Sequence, residues 1–137
     1  MQENSERSPH EQMFQLLSGY WVTRAIHVAV ELDIAGHLKN GPQSCEALAT
    51  ATQTDAPSLF RLLRALASVG IFAEREDTQF ELTPLAATLL KDGTNSLYGN
   101  AMLLGHSIYW QSWGELDKAI KTGEPVFNDI FGADFFD

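Results

Sequence analysis

A mainly α-helical, winged-helix-like domain with a small two-stranded β-hairpin is the fold class this 137-residue chain predicts, on three observations. Residues 58–69 place Leu59, Phe60, Leu62, Leu63, Leu66, Ala67 and Val69 at the spacing of a broad buried helical stripe, and Gly70 stands where a C-cap belongs. The period then changes to two. Residues 71–74 (IFAE) and 80–83 (FELT) flank the polar run 75–79, the pattern of a hairpin with a solvated tip. Finally, shorter helical segments lead into residues 58–69, so helix, helix and hairpin follow one another as in a winged helix.

Residues 1–9 (MQENSERSP) are polar with nothing to pack and read as a disordered tail. The domain is expected over 10–137, with the winged helix at 31–83 and further helices at 84–137. Residues 10–30 form one helix by pattern, and Met13, Phe14, Leu16, Leu17, Tyr20, Trp21, Val22, Ala25, Ile26, Val28 and Ala29 leave it little polar surface. A first helix that is apolar all round is either the centre of the core or the face of a dimer. A homodimer is the favoured reading, with Phe14, Leu17, Tyr20, Trp21 and Ile26 as interface candidates.

Residues 31–38 (ELDIAGHL) continue as a short helix that Gly41-Pro42 ends. Ser44 can cap the next helix, with Cys45, Ala47, Leu48 and Ala51 as its packing face, and Asp55 can cap the stripe helix, with Pro57 in its first turn. After the hairpin, a helix starts at Thr83 or Pro84 and runs to Leu90, and residues 95–105 are mixed and apolar. Ile108, Trp110, Trp113, Leu116 and Ile120 mark a longer helix over 107–122, ended by Gly123. The last run, 126–137, carries Phe127, Ile130, Phe131, Phe135 and Phe136 with almost nothing after them to bury them.

The net charge of −9 and a pI near 4.7 oppose binding to polyphosphate. Arg61 and Arg64 would face DNA if residues 58–69 were a recognition helix, but Asp55, Glu74, Glu76 and Asp77 surround them, and ion pairs on a solvated face are the expected use. One cysteine, Cys45, excludes an internal disulfide, and no signal peptide or long apolar span is evident, so the expectation is a cytoplasmic protein with no nucleic-acid or membrane partner. No glycine-rich phosphate loop, metal-ligand spacing or G-x-S-x-G elbow occurs. Of the four histidines, His10, His27 and His37 read as structural or solvated. His106 stands beside Tyr109, Trp110 and Trp113. That cluster is either an aromatic core with one hydrogen-bonded histidine, the preferred reading, or the wall of an aromatic-binding pocket.

The order of segments LDIAGHL, SLFRLLRALASVGIFAE, FELTPLAATLL and WGELDKAIKTGEPVFNDIFGADFF resembles the N-terminal domain of S-adenosylmethionine-dependent small-molecule O-methyltransferases, the branch related to caffeic-acid and acetylserotonin methyltransferases. The resemblance covers the chain after the tail. It implies an interlocked, intertwined homodimer that lends side chains to a substrate pocket, with Met102, His106, Tyr109, Trp110 and Trp113 as pocket candidates. In that family a C-terminal Rossmann-like domain binds the methyl donor and holds the catalytic base. Those parts would fall beyond Asp137, so no catalytic, cofactor-binding or metal-ligating residue is assigned, and these residues alone are expected neither to bind S-adenosylmethionine nor to turn over. The function implied is that of a dimerisation and substrate-pocket domain for methylating a hydroxyl of a small aromatic or polyketide-like metabolite. The alternatives are a winged-helix transcription regulator and a non-catalytic partner of a complete methyltransferase.

Overall fold

The structure, a computed structural model, describes residues 6–132. Helix α1 (Pro9–Leu17) begins with a reciprocal cap: the Ser8 hydroxyl accepts from the Glu11 N–H at 3.3 Å, and the Glu11 carboxylate accepts from the Ser8 N–H at 2.8 Å. Ser8 and Pro9 thus belong to the helix start, not to the tail expected from sequence; Phe135 and Phe136 of the terminal apolar run lie outside the described residues. Helix α2 spans Gly19–Glu31, so the single helix expected over 10–30 is broken at Ser18-Gly19, where the Ser18 hydroxyl donates to the Phe14 carbonyl at 2.8 Å. Nor is it covered all round. α1 buries no residue, whereas α2 buries His27, Ala29 and Val30.

A left-handed Asp33 leads into α3 (Ile34–Leu38), followed by β1 (Gln43–Ser44) and α4 (Cys45–Thr52). The Ser44 hydroxyl caps α4 by accepting from Ala47 N–H at 3.1 Å. Its buried face is Cys45, Leu48 and Ala49. Ala47 and Ala51, expected inward, are exposed, because the helix phase places Ala49 beside Leu48 and Cys45. Helix α5 (Ala56–Ser68) is capped by Asp55, whose carboxylate accepts from Ser58 N–H at 3.0 Å, and buries Leu59, Leu63 and Leu66. Gly70, at φ +85°, reverses the chain, and Ile71 N–H closes the helix on the Leu66 carbonyl at 3.0 Å.

The wing consists of β2 (Ala73–Glu74) and β3 (Gln79–Glu81), joined through Asp77 and Thr78, both at φ +57°. The sheet is three-stranded, in the order β1-β3-β2, with Gln43 opposite Phe80 and Glu74 opposite Phe80 on the other side. The two-stranded hairpin expected from sequence therefore gains β1, which is too short for an alternating pattern to reveal. Phe80, fully buried, packs edge-on against Phe60 with ring centres 6.0 Å apart.

Thr83 caps α6 (Pro84–Ala87), and α7 (Tyr98–Leu104) follows. The long helix expected over 107–122 is two: α8 (Ser107–Gly114) and α9 (Leu116–Thr122), separated where Glu115 leaves helical geometry at φ −102° and ψ 16°. Gly123 ends α9 in the left-handed region, and α10 spans Phe127–Phe131. The buried core runs from Ala29 to Leu89 and is supplied by α2 to α6 and the wing. Each of Leu48, Leu63, Leu66 and Phe80 contributes about 2 kcal/mol by leaving water.

Candidate dimer face and pocket wall

α1 and the first turns of α2 form an apolar surface that the chain itself does not cover. Phe14, Leu16, Leu17 and Tyr20 are 72%, 75%, 67% and 66% exposed. Phe14, Trp21, Val22 and Val69 line an open groove of about 1040 Å³ whose polar margin includes Arg7, His10 and Glu11. Of the interface candidates, Phe14 and Trp21 meet in this groove, Leu17 and Tyr20 stand exposed outside it, and Ile26 is half-buried against the core.

The pocket-wall candidates lie on α7 and α8. Met102 packs against the core, and Tyr109 and Trp110 are half-buried. His106 is exposed and acts as the N-cap of α8, its Nδ1 accepting from Ile108 N–H at 3.2 Å, which leaves Nε2 to carry the proton of the neutral ring. Trp113 is 67% exposed. The cluster is therefore not the closed aromatic core preferred from sequence: α8 contributes no residue to the core, and Trp113 stands in solvent while Tyr109 and Trp110 are half-buried. Trp110 packs edge-on against Tyr20, centroids 6.3 Å apart and planes at 73°, which brings α8 into contact with the first turn of α2. Its Nε1 is buried with no hydrogen-bond acceptor among the described residues.

A polar junction that sequence reasoning missed joins α2 to α7. Arg24 Nη1 donates to the Gly105 carbonyl at 2.8 Å, and buried His27 sits between the Ala101 carbonyl, 3.1 Å from Nδ1, and the Glu31 carboxylate, 3.0 Å from Nε2. The available signal was an imidazole inside an apolar helix with Glu31 one turn later; nothing local pointed to Gly105.

The helix that would read DNA has its cations engaged. Arg64 holds Glu74 through two nitrogens at 3.2 Å each and lies 5.0 Å from the centre of the Phe60 ring, while Arg61 reaches the Ser58 hydroxyl at 3.4 Å. Arg75 pairs with Glu81 on the wing, and that contact raises the guanidinium's already high pKa. The Lys39 ammonium, 2.7 Å away, holds the Asp92 carboxyl below its usual range, the Ser58 hydroxyl does the same for Asp55, and burial pushes the Cys45 thiol up. Among the described residues no cluster of His, Cys, Asp or Glu could hold a metal ion, and no helix is long and apolar enough to cross a membrane. The three strands among the described residues are short and pair antiparallel.

The described residues form a packed winged helix whose first helix and Trp113 on α8 present large apolar side chains to solvent. The model of the O-methyltransferase dimerisation domain matches residues 14–92, and the chain belongs to that family. It is 40% identical over 125 residues to phenazine O-methyltransferase PhzM of Lysobacter antibioticus, covering 90% of this chain and 36% of that protein. It is 38% identical over 127 residues to the mitomycin biosynthesis 6-O-methyltransferase of Streptomyces lavendulae, covering 92% and 36%. The crystal structure of LaPhzM superposes with a TM-score of 0.89 at 35% identity, over 95% of this chain and 39% of that one. The chain thus spans little more than a third of the length of the curated relatives it matches.

Proposed function

We propose that this chain is the homodimerising, substrate-pocket domain of an S-adenosylmethionine-dependent O-methyltransferase that acts on a hydroxyl of a small aromatic or polyketide-like metabolite. The observation that carries the proposal is the uncovered apolar face of α1 and α2 in a chain of this family. Covering Phe14, Leu17 or Tyr20 with a second copy gains about 1.5–3 kcal/mol for each large side chain fully removed from water, enough in combination to offset the cost of association.

α7 and α8 then supply one wall of the pocket. Met102 on α7 and Tyr109, Trp110 and Trp113 on α8 are the apolar side chains offered to an aromatic substrate, and His106 Nε2–H is a donor for a substrate oxygen. S-adenosylmethionine supplies an electrophilic methyl group when bound. The part of the residues on α7 and α8 is to bind the substrate, orient it and exclude water. A cytoplasmic setting suits the buried free thiol of Cys45. A duplex partner is not proposed, since Arg64 is held by Glu74 and the net charge is −9.

Calorimetry tests the division of labour. S-adenosylmethionine titrated into this chain is expected to give no stoichiometric heat, while a flat phenolic probe binds weakly and loses affinity in Trp113→Ala. Stoichiometric binding of S-adenosylmethionine would overturn the proposal.

A further inference from the structure

The C-terminal end of α7 receives donors from two side chains of α2. A carbonyl oxygen only accepts, so His27 Nδ1–H donates to Ala101, whose carbonyl also accepts Gly105 N–H at 3.3 Å. One turn earlier, the Arg24 guanidinium donates to the Gly105 carbonyl at 2.8 Å. The Gly105 carbonyl lies just past the last turn, at the negative end of the helix dipole, where a cationic donor fits, and the Ala101 carbonyl accepts His27 on its second lone pair beside the Gly105 N–H. Close packing reinforces the junction. His27 is 2% exposed, and a Cβ on Gly105 would lie 2.2 Å from the His27 Cβ. Glycine is required here by the approach of α2, not by its backbone angles.

We propose that Arg24 and His27, with Gly105 between them, form a clamp that sets the α7–α8 corner on α2, which makes both residues positioning residues for the pocket wall. The inference rests on the reading of α7 and α8 as that wall. His106 follows Gly105 directly and caps α8, so a change of angle at Gly105 swings the helix that carries Tyr109 and Trp110. The Tyr20–Trp110 ring contact is made one turn from Arg24 on the same α2, so clamp and ring pair hold α8 from two sides.

Amide hydrogen exchange on this chain tests the clamp without any substrate, so its failure is separate from a failure of the methyltransferase reading. Arg24→Met keeps the apolar stem of an exposed side chain and removes only the donor; His27→Phe keeps the ring volume. In both, amides of residues 101–110 are expected to exchange about tenfold faster, the worth of one net hydrogen bond, while those of α4 and α5 keep their rates. The Trp110 indole N–H signal should shift and that of Trp21 should not. His27→Gln, which retains a donor for Ala101, should recover part of the protection. Equal acceleration in α4 and α5, or unchanged exchange at 101–110 in Arg24→Met, would overturn the proposal.

Discussion

The winged unit from α3 to α6 and the flanking helices α1, α8 and α9 use similar apolar residues to opposite ends. In the first, Leu48, Leu63, Leu66 and Phe80 are buried within the chain. In the second, Phe14, Leu17, Trp113, Leu116 and Ile120 remain exposed. Both regions are helical and capped, so local structure alone does not separate them. The difference is where the covering surface comes from: the chain's own core supplies it for the winged unit, and on the flanks the described residues leave it unsupplied, the place the proposed second copy and substrate would take.

Substitutions that remove the same kind of side chain should therefore have opposite readouts in the two regions. Leu63→Ala leaves a cavity at the centre of α5 and should lower the unfolding free energy by about 3–4 kcal/mol in denaturant titrations. Leu17→Glu should leave the unfolding of the monomer within about 0.5 kcal/mol of the parent. On the proposed dimer it should nevertheless raise the dissociation constant about a hundredfold, by placing a charge where a second copy would exclude water. A large loss of monomer stability in Leu17→Glu would erase the distinction between the regions.

Much of the winged unit was legible because its signals are local. Asp55, Pro57 and Gly70 mark the start and stop of α5 within a few residues of the backbone they cap, and the stripe between them has one phase. The missed features depend on partners far along the chain or on local breaks that a continuous apolar pattern masks. β1 is two residues long and exists because β3 offers an edge. The breaks at Ser18-Gly19 and at Glu115 interrupt apolar patterns that continue across them. Buried Phe72 adopts φ +64°, a conformation nothing in its side chain foretells. In the candidate site, aromatic content pointed to α8, but the ring contact with Tyr20 and the bond from Arg24 to Gly105, 81 residues apart, are tertiary facts.

Smaller effects sharpen the same contrast within the wing and the caps. Asp77 and Thr78 hold the left-handed pair that a tight hairpin turn requires without a glycine, so Thr78→Gly should stabilise the chain by about 0.5 kcal/mol in thermal melts and leave self-association unchanged. The Asp55 carboxyl is held below its usual pKa chiefly by the Ser58 hydroxyl and then by the Ser58 N–H. Folding therefore favours its ionised form. That contribution is complete above the unfolded value of about 3.9 and is lost as pH falls through the lower folded value. Denaturation midpoints followed from about pH 6 downward should show a shallower acid slope in Asp55→Asn.

The most direct measurement of trans coverage is the mass of this chain by sedimentation equilibrium over a range of concentrations. A dimer at tens of micromolar that dissociates on dilution, and that Leu17→Glu converts to monomer at the same concentrations, is the expected result. A monomer throughout that range, with α1 still folded, would contradict the assignment of the α1–α2 face to a second copy of the chain.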